Sequence, residues 1–229
     1  PEATFFHLSQ WKQVIERAFG HKTYFMFAEK NGEIQAVLPL AQVKSFLFGN
    51  ALTSSPFCVY GGVAANDENS RRFLEDQACD LADRLKVDYL EMRNLKRSRE
   101  DWPCKELYVT FRKEISADEE ENLKAIPRKQ RAVVRKGIKA DLQSDIDKSI
   151  DDFYTAYATS VRNLGTPVFS KKYFKVLKDV FGSDCDILTI RKENKLIASV
   201  MNFYFKDEVL PYYGGGTDEA RQVKGNDFM

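Results

Sequence analysis

Histidine and cysteine are scarce in this chain, and their scarcity removes several chemistries. The two histidines, His7 and His21, lie near the start, and the four cysteines, Cys58, Cys79, Cys104 and Cys185, are scattered without a CxxC pair. That spacing argues against a zinc site and against a disulfide framework. A Cys/His or Ser/His nucleophilic pair would have to use one of those two histidines. No apolar run approaches the roughly 20 residues of a membrane span, and the first residues lack the charged-then-apolar pattern of a signal peptide. P-loop, HExxH, GxSxG and EF-hand patterns are missing. Charge of one sign is missing as well. With 35 Lys+Arg against 34 Asp+Glu the formal net charge is +1, so any charge aimed at a partner must be local, and DNA is not an expected partner. A reduced, cytoplasmic protein is expected.

What the chain does have is a repeat. Strand-like runs Ile187 to Lys192 and Leu196 to Phe205 flank a short turn and lead to Pro211-Tyr212-Tyr213-Gly214-Gly215-Gly216. Earlier, Tyr24 to Glu29 and Ile34 to Val43 flank Lys30-Asn31-Gly32-Glu33, and an extended stretch then reaches Val59-Tyr60-Gly61-Gly62. Each copy reads as a hairpin with its turn residues followed by an aromatic strand ending at glycines. Two copies in 229 residues, with an apolar content of 43% to fill two cores, predict two domains of one fold rather than a solenoid. The boundary is expected near Ser116-Ala117-Asp118, giving domains 1–115 and 116–229. The chain starts at Pro1 and stops at Met229 where a further helix is due, so the second domain is expected to be incomplete at its C-terminal side.

Helical spacing predicts helices from Ser9 to Phe19, from Asn66 or Asp67 to Lys86, from Asp147 to Leu164 and from Ser170 to Phe181. Val87 to Met92 and Lys105 to Arg112 read as the first domain's closing strands. Glu119, Glu120 and Glu121 suit a helix's first turn, and Pro127 suits the start of the next helix. On that next helix Arg128, Arg131 and Arg135 share one face, with Ile126, Val133, Val134 and Ile138 available to a core. Such arginines match phosphate oxygens in bidentate geometry, and they equally suit a solvated face beside the acidic run. Tyr212, Tyr213 and the glycines also have two readings. They form either an anion cradle with tyrosine hydroxyls to orient or protonate a substrate, or a strand end with a bulge and two packed aromatics. Gln222 to Asp227 half-matches a Q/R-x-x-G-x-G/A pyrophosphate loop, with Asp227 where a small residue belongs.

The order of elements and the glycine stretch resemble the Gcn5-related acetyltransferase (GNAT) fold, and the duplication resembles its tandem form in the Fem family of aminoacyl-tRNA-dependent peptidyltransferases. The likeness is carried by Tyr24 to Leu40, Val59-Tyr60-Gly61-Gly62, Ile126 to Arg131, Gly165-Thr166-Pro167-Val168-Phe169 with Tyr173-Phe174, and Pro211 to Met229. It is nearest to FemAB-like proteins of exosortase (PEP-CTERM) and extracellular-polysaccharide loci.

The resemblance implies two mixed α/β domains flanking a cleft, and transfer of an acyl or aminoacyl group to an amine of a small-molecule or lipid-linked cell-wall or exopolysaccharide precursor, with a membrane-surface substrate in scope. No tightly bound cofactor is implied. The donor, aminoacyl-tRNA or acyl-CoA, is a co-substrate, and Asp227 counts against coenzyme A. The heptad pair that some Fem proteins insert as a helical arm is missing. By the likeness Arg128, Arg131 and Tyr173 fall on the acceptor side, and Tyr213, Arg221, Lys224 and Asn226 near the donor; Tyr212, Gly214 and Gly215 are further expected substrate-binding residues. Tyr213 or Asp227 is the expected base in a direct attack without a covalent enzyme intermediate. Two alternatives stay open: an acyl-CoA-dependent N-acyltransferase on an amino sugar, and a non-catalytic precursor-binding scaffold.

Overall fold

A computed structural model describes residues 3–47, 49–105 and 107–229. The chain forms two compact units, Pro1–Lys105 and Glu106–Met229, and its sheets are mixed with helices in each.

The first unit opens with α1 (Gln10–Phe19), whose Trp11, Val14 and Ile15 are buried at helical spacing and whose end is turned by Gly20 at φ +73°. Strands β1 (Lys22–Lys30), β2 (Glu33–Ser45) and β3 (Gly49–Ser54) follow, then β4 (Ala64–Ala65), α2 (Glu68–Leu85) and β5 (Tyr89–Glu91). The sheet runs β1-β2-β3-β5, with β4 also paired to β2. Asp67 caps α2 by accepting from the Ser70 N–H, and the helix returns the chain for β5 to pair parallel to β3. Leu74 and Ala78 of α2 meet Leu38, Leu40 and Leu52 of the sheet in one core. A second cluster joins Phe5, Phe6, Trp11 and Tyr60, with the Trp11 indole N–H donated to the Phe5 carbonyl at 3.1 Å.

The second unit begins with α3 (Glu119–Ala125), capped by Asp118, and α4 (Arg128–Ile138), entered through Pro127. After β6 (Gln143–Ile146) come α5 (Asp151–Asn163) and α6 (Lys171–Phe181), the latter capped by the Ser170 hydroxyl. The meander β7 (Cys185–Lys192), β8 (Lys195–Phe205), β9 (Glu208–Gly216) completes an antiparallel sheet in the order β6-β7-β8-β9, and α7 (Ala220–Val223) and α8 (Gly225–Phe228) close the unit. Ile197 to Phe203 of β8 are buried without alternation, the pattern of a strand covered on both faces. Phe153, Tyr173, Phe174, Leu177 and Phe181 supply aromatic and aliphatic bulk from α5 and α6. Ile190, Ile197, Ala198 and Ala220 form a further cluster against Val223 and Phe228.

The two hairpins share one register. Lys30 pairs with Glu33 and, after a bulge, Ala28 with Ala36; Lys192 pairs with Lys195 and, after a bulge at the same place, Ile190 with Ala198. Carried forward, this register equates Ser54 opposite Leu40 with Pro211 opposite Asn202, and Ala64 opposite Val37 with Gly215 opposite Ser199. Residues 55–63 therefore occupy in the first unit the place that 212–214 occupy in the second. The Tyr60-Gly61-Gly62 motif lies within that excursion, outside any strand, and is not the register counterpart of Tyr213-Gly214-Gly215. The hairpin repeats; the glycine motif does not.

Other expectations are corrected. Residues 107–112 form no strand, and Tyr108 and Phe111 are 89% and 90% exposed. Alternating apolar residues favour a strand only where an edge is available to pair with; residue 106, within the same expected strand, lies outside the described residues, as does residue 48 of the expected extended run Phe46 to Tyr60. That run turns at residues 46–47 before β3 and leaves the sheet after Ser54. Helix α5 starts at Asp151 rather than Asp147, because the Asp147 N–H continues the β6 ladder to the Ile187 carbonyl and its carboxylate holds Arg191 at 3.0 Å. Ile138, expected to be available to a core, is exposed, as are Phe73 of α2 and Leu164 at the end of α5. Strand β6 escaped the pattern because Gln143-Ser144-Asp145-Ile146 has no alternation and a single apolar residue.

Candidate active site

The glycines Gly214, Gly215 and Gly216 are not a loop. They are paired in β9, opposite Val200, Ser199 and Ala198. The need for glycine there is steric: a Cβ on Gly215 would sit 2.6 Å from the Ala156 carbonyl of α5 and 2.8 Å from the Ser160 side chain, so α5 lies directly on the strand. The second of the two sequence readings, a strand with a bulge and packed aromatics, is the one the fold adopts. Tyr213 pairs with Met201 and Pro211 with Asn202, so Tyr212 is the bulged residue of β9. A bulge of this kind re-aims side chains, here on an edge strand.

The bulge aims Tyr213 at α5 and α6. Its hydroxyl lies 2.9 Å from that of Tyr173, a residue in the first turn of α6 that is 0% exposed. Sequence reasoning placed these tyrosines on opposite sides of a site, acceptor and donor; the fold joins them. The Tyr213 ring meets Phe174 at 5.2 Å, Tyr173 at 5.8 Å and Tyr157 at 6.0 Å, each nearly edge-on, while Tyr212 stands edge-on to Tyr213 at 4.6 Å. The Tyr154 hydroxyl donates to the Phe169 carbonyl at 3.2 Å. Burial pushes the Tyr157 phenol above its ordinary value, against a lowering by the Phe169 main chain. Tyr154, Tyr157 and Phe169 had been read as helix core and loop. Only the meeting of α5, α6 and β9 turns them into the wall of a phenol pair.

A second group forms around α4. Arg128, Arg131, Arg135, Lys136 and Lys139 line a depression of about 410 Å³. Among the described residues no acid pairs with Arg128, Arg135, Lys136 or Lys139. Arg131 is engaged, donating to the carbonyls of Lys124 at 2.6 Å and Ile126 at 2.9 Å, which ties α3 to α4. Lys139 extends the predicted face at four residues from Arg135, and Lys136 joins the lining beside it.

The expected donor loop packs beside this helix. Residues 222–227 build α7 and α8, with Lys224 between them at φ +59° and its ammonium on the Arg221 carbonyl at 2.9 Å. Gly137 of α4 is the close-approach point, since a Cβ there would meet Phe228 at 2.9 Å and the Lys224 carbonyl at 3.0 Å. Gln130 donates to the Asp227 carboxylate. Asn226 lies against Gly216, and Arg221 is exposed. So Arg128, Arg131, Arg221, Lys224, Asn226 and Asp227 gather around α4 and the end of β9, and Tyr173, Tyr212 and Tyr213 around its bulge. Among the described residues no hydrogen bond joins Asp227 to the tyrosines.

The two buried thiols, Cys58 and Cys185, are poor nucleophiles. Burial raises Cys58 well above its usual range and pushes Cys185 up to about 12. Among the described residues no group of histidine, cysteine and carboxylate side chains is placed to hold a metal, and no helix is long and apolar enough to cross a membrane.

No family model and no curated protein matches the chain. Solved structures do. The crystal structure of FemX is similar over 100% of this chain and 79% of its own, with a TM-score of 0.70 at 12% identity. The C-terminal (DUF2156) domain of a putative lysylphosphatidylglycerol synthetase from Agrobacterium fabrum is similar over 96% of this chain and 67% of its own, with a TM-score of 0.53 at 12% identity. Neither likeness bears on exosortase or polysaccharide loci. At such identity they speak for the fold, and the chain has a Fem-like fold.

Proposed function

We propose that this chain transfers an acyl or aminoacyl group to an amine of a cell-envelope precursor, and that the chemistry takes place at the β9 bulge. The observation that carries this reading is the Tyr173–Tyr213 hydroxyl pair at the bulge of an edge strand. One phenol donates to the other, so a proton is held at a fixed point. An amine nitrogen attacks the carbonyl carbon of an ester or thioester donor. The developing oxyanion takes a phenol O–H. As the tetrahedral species collapses the carbonyl–oxygen or carbonyl–sulfur bond breaks, and the nitrogen proton passes through Tyr213 to the leaving atom. Orientation supplies much of the rate.

The cationic depression on α4 suits the anionic part of a donor or acceptor, a diphosphate or an RNA backbone. Asp227, bonded to Gln130, serves there as a positioning group, and Tyr213 is the better candidate for the proton relay. The shared hairpin register supports tandem acyltransferase units of the GNAT type. The name lysylphosphatidylglycerol synthetase describes an aminoacyl group carried on a phospholipid, which widens the acceptor class from peptidoglycan precursors to lipid-borne ones.

The test is a ligand panel on the wild-type chain and Tyr213→Phe: acetyl-CoA, an aminoacyl-tRNA, a nucleotide-linked amino sugar and a muramyl-peptide precursor. A ligand near 100 times its dissociation constant adds about 2.7 kcal/mol of stability. Stabilisation by a donor, with transfer to an amine that Tyr213→Phe reduces, supports the reading. Stabilisation by an acceptor alone, with no transfer from any donor, would mark a binding module instead.

A further inference from the structure

The β2–β3 connection ends the first unit's sheet in a point that a soluble surface does not require. Phe46 is 103% exposed and Leu47 is 79% exposed, side by side at the turn after Ser45. Consecutive large apolar side chains held out at a hairpin turn mark a contact with something apolar. The surrounding charge says what that is. Lys44 stands two residues before the tip, opposite Asn50. Lys22 opens β1 opposite Gln42, at the same end of the sheet. Lys86, the left-handed C-cap of α2, comes to this end as well, because its carbonyl accepts from the Asn50 side chain at 3.2 Å. All three lysines are exposed, and none pairs with an acid among the described residues. Of the acids at this end, Asp88 accepts the Asn50 N–H at 2.8 Å and Glu16 accepts the Thr23 hydroxyl.

We infer that the β2–β3 tip inserts Phe46 and Leu47 into the headgroup–acyl boundary of a bilayer containing anionic lipid, with Lys22, Lys44 and Lys86 on the lipid phosphates. Apolar insertion and cation–lipid attraction together make such binding stable, where either alone is weak. The long lysine stems can lie along the apolar tip while their ammonium groups stay at the phosphate level. The inference places the chain at a membrane surface whatever it catalyses. It does not depend on the acyltransferase reading, and a variant inactive at Tyr213 binds vesicles as the wild type does.

Co-sedimentation with phosphatidylcholine vesicles, with and without phosphatidylglycerol, tests it. The wild-type chain is expected to sediment with the anionic vesicles and to be released by salt. F46S/L47S should lower binding about tenfold or more, from the apolar area no longer buried, while its thermal midpoint stays that of the wild type because both side chains are exposed. K22S/K44S/K86S should weaken binding to anionic vesicles alone and flatten the salt dependence. L107S/F111S, which strips exposed apolar side chains elsewhere, should bind normally. The inference is overturned by a wild type that binds neither vesicle, by F46S/L47S binding unchanged, or by F46S/L47S converting a dimer to a monomer without vesicle binding, which would make a second copy the occupant.

Discussion

Tyr213 and Tyr173 share one hydrogen bond, and their consequences are coupled. Tyr213→Phe should lower turnover by about 100-fold, the lower range for a lost proton-transfer group, with little change in donor binding. Tyr173→Phe acts through Tyr213 and should cost less, and the double variant should be no worse than Tyr213→Phe alone. Steady-state kinetics of the three variants decides it; additive losses would separate the two hydroxyls. His21 gives a residue-level prediction in the first unit. It stacks with Phe57 at 5.9 Å and Phe19 at 6.2 Å, and burial lowers its imidazole pKa. A lowered folded pKa means that the unfolded chain takes up the proton first. The His21 contribution is therefore present above the ordinary value of about 6.5 and is lost as pH falls through the lower folded value. His21→Phe should flatten the acid side of the wild-type thermal-midpoint profile.

At the scale of elements, β9 and α4 set the geometry. A methyl group on Gly215 would strike the Ala156 carbonyl, which belongs to a helix backbone and cannot swing aside. Gly215→Ala should destabilise by about 1–3 kcal/mol, the usual cost of overpacking, and should disturb the bulge two residues away. Denaturant melts measure the first effect and activity the second. The α4 depression gives a charge prediction: Arg128→Ala with Arg135→Ala should weaken binding of an anionic donor and reduce its salt sensitivity, leaving stability unchanged because both guanidinium groups are without an acid partner among the described residues. Much of this level was legible in the sequence. The α4 arginine face, the Asp67 and Ser170 caps, the Gly20 and Gly182 stops and the β7–β8 turn follow from local rules. The strand identity of the glycines does not, since a run of glycines satisfies a loop equally well and only the close lie of α5 explains it.

For the whole molecule, two cores imply that the exposed stretch near their junction is the weakest backbone. Residues 107–115 have no regular structure, and Tyr108 and Phe111 stand out to solvent. Brief chymotrypsin treatment should cut first at those residues and release two fragments that resist further digestion; early cuts within α2 or α5 would contradict it. The hairpin repeat, read from two strand-turn-strand patterns, holds to the level of a shared bulge. The Tyr-Gly-Gly repeat looked equally strong and failed, because three residues recur by chance far more readily than a register does.

By itself the sequence determined what depends on neighbours a few residues away: helix faces and ends, turn chemistry and the hairpin pair. The tertiary structure alone decided which side chains meet. Tyr173 and Tyr213 are separated by a helix and two strands, and Gln130 and Asp227 by nearly the whole second unit. Their meeting follows from how helices pack on a sheet whose pairing register is set by long-range burial, and no local propensity encodes that.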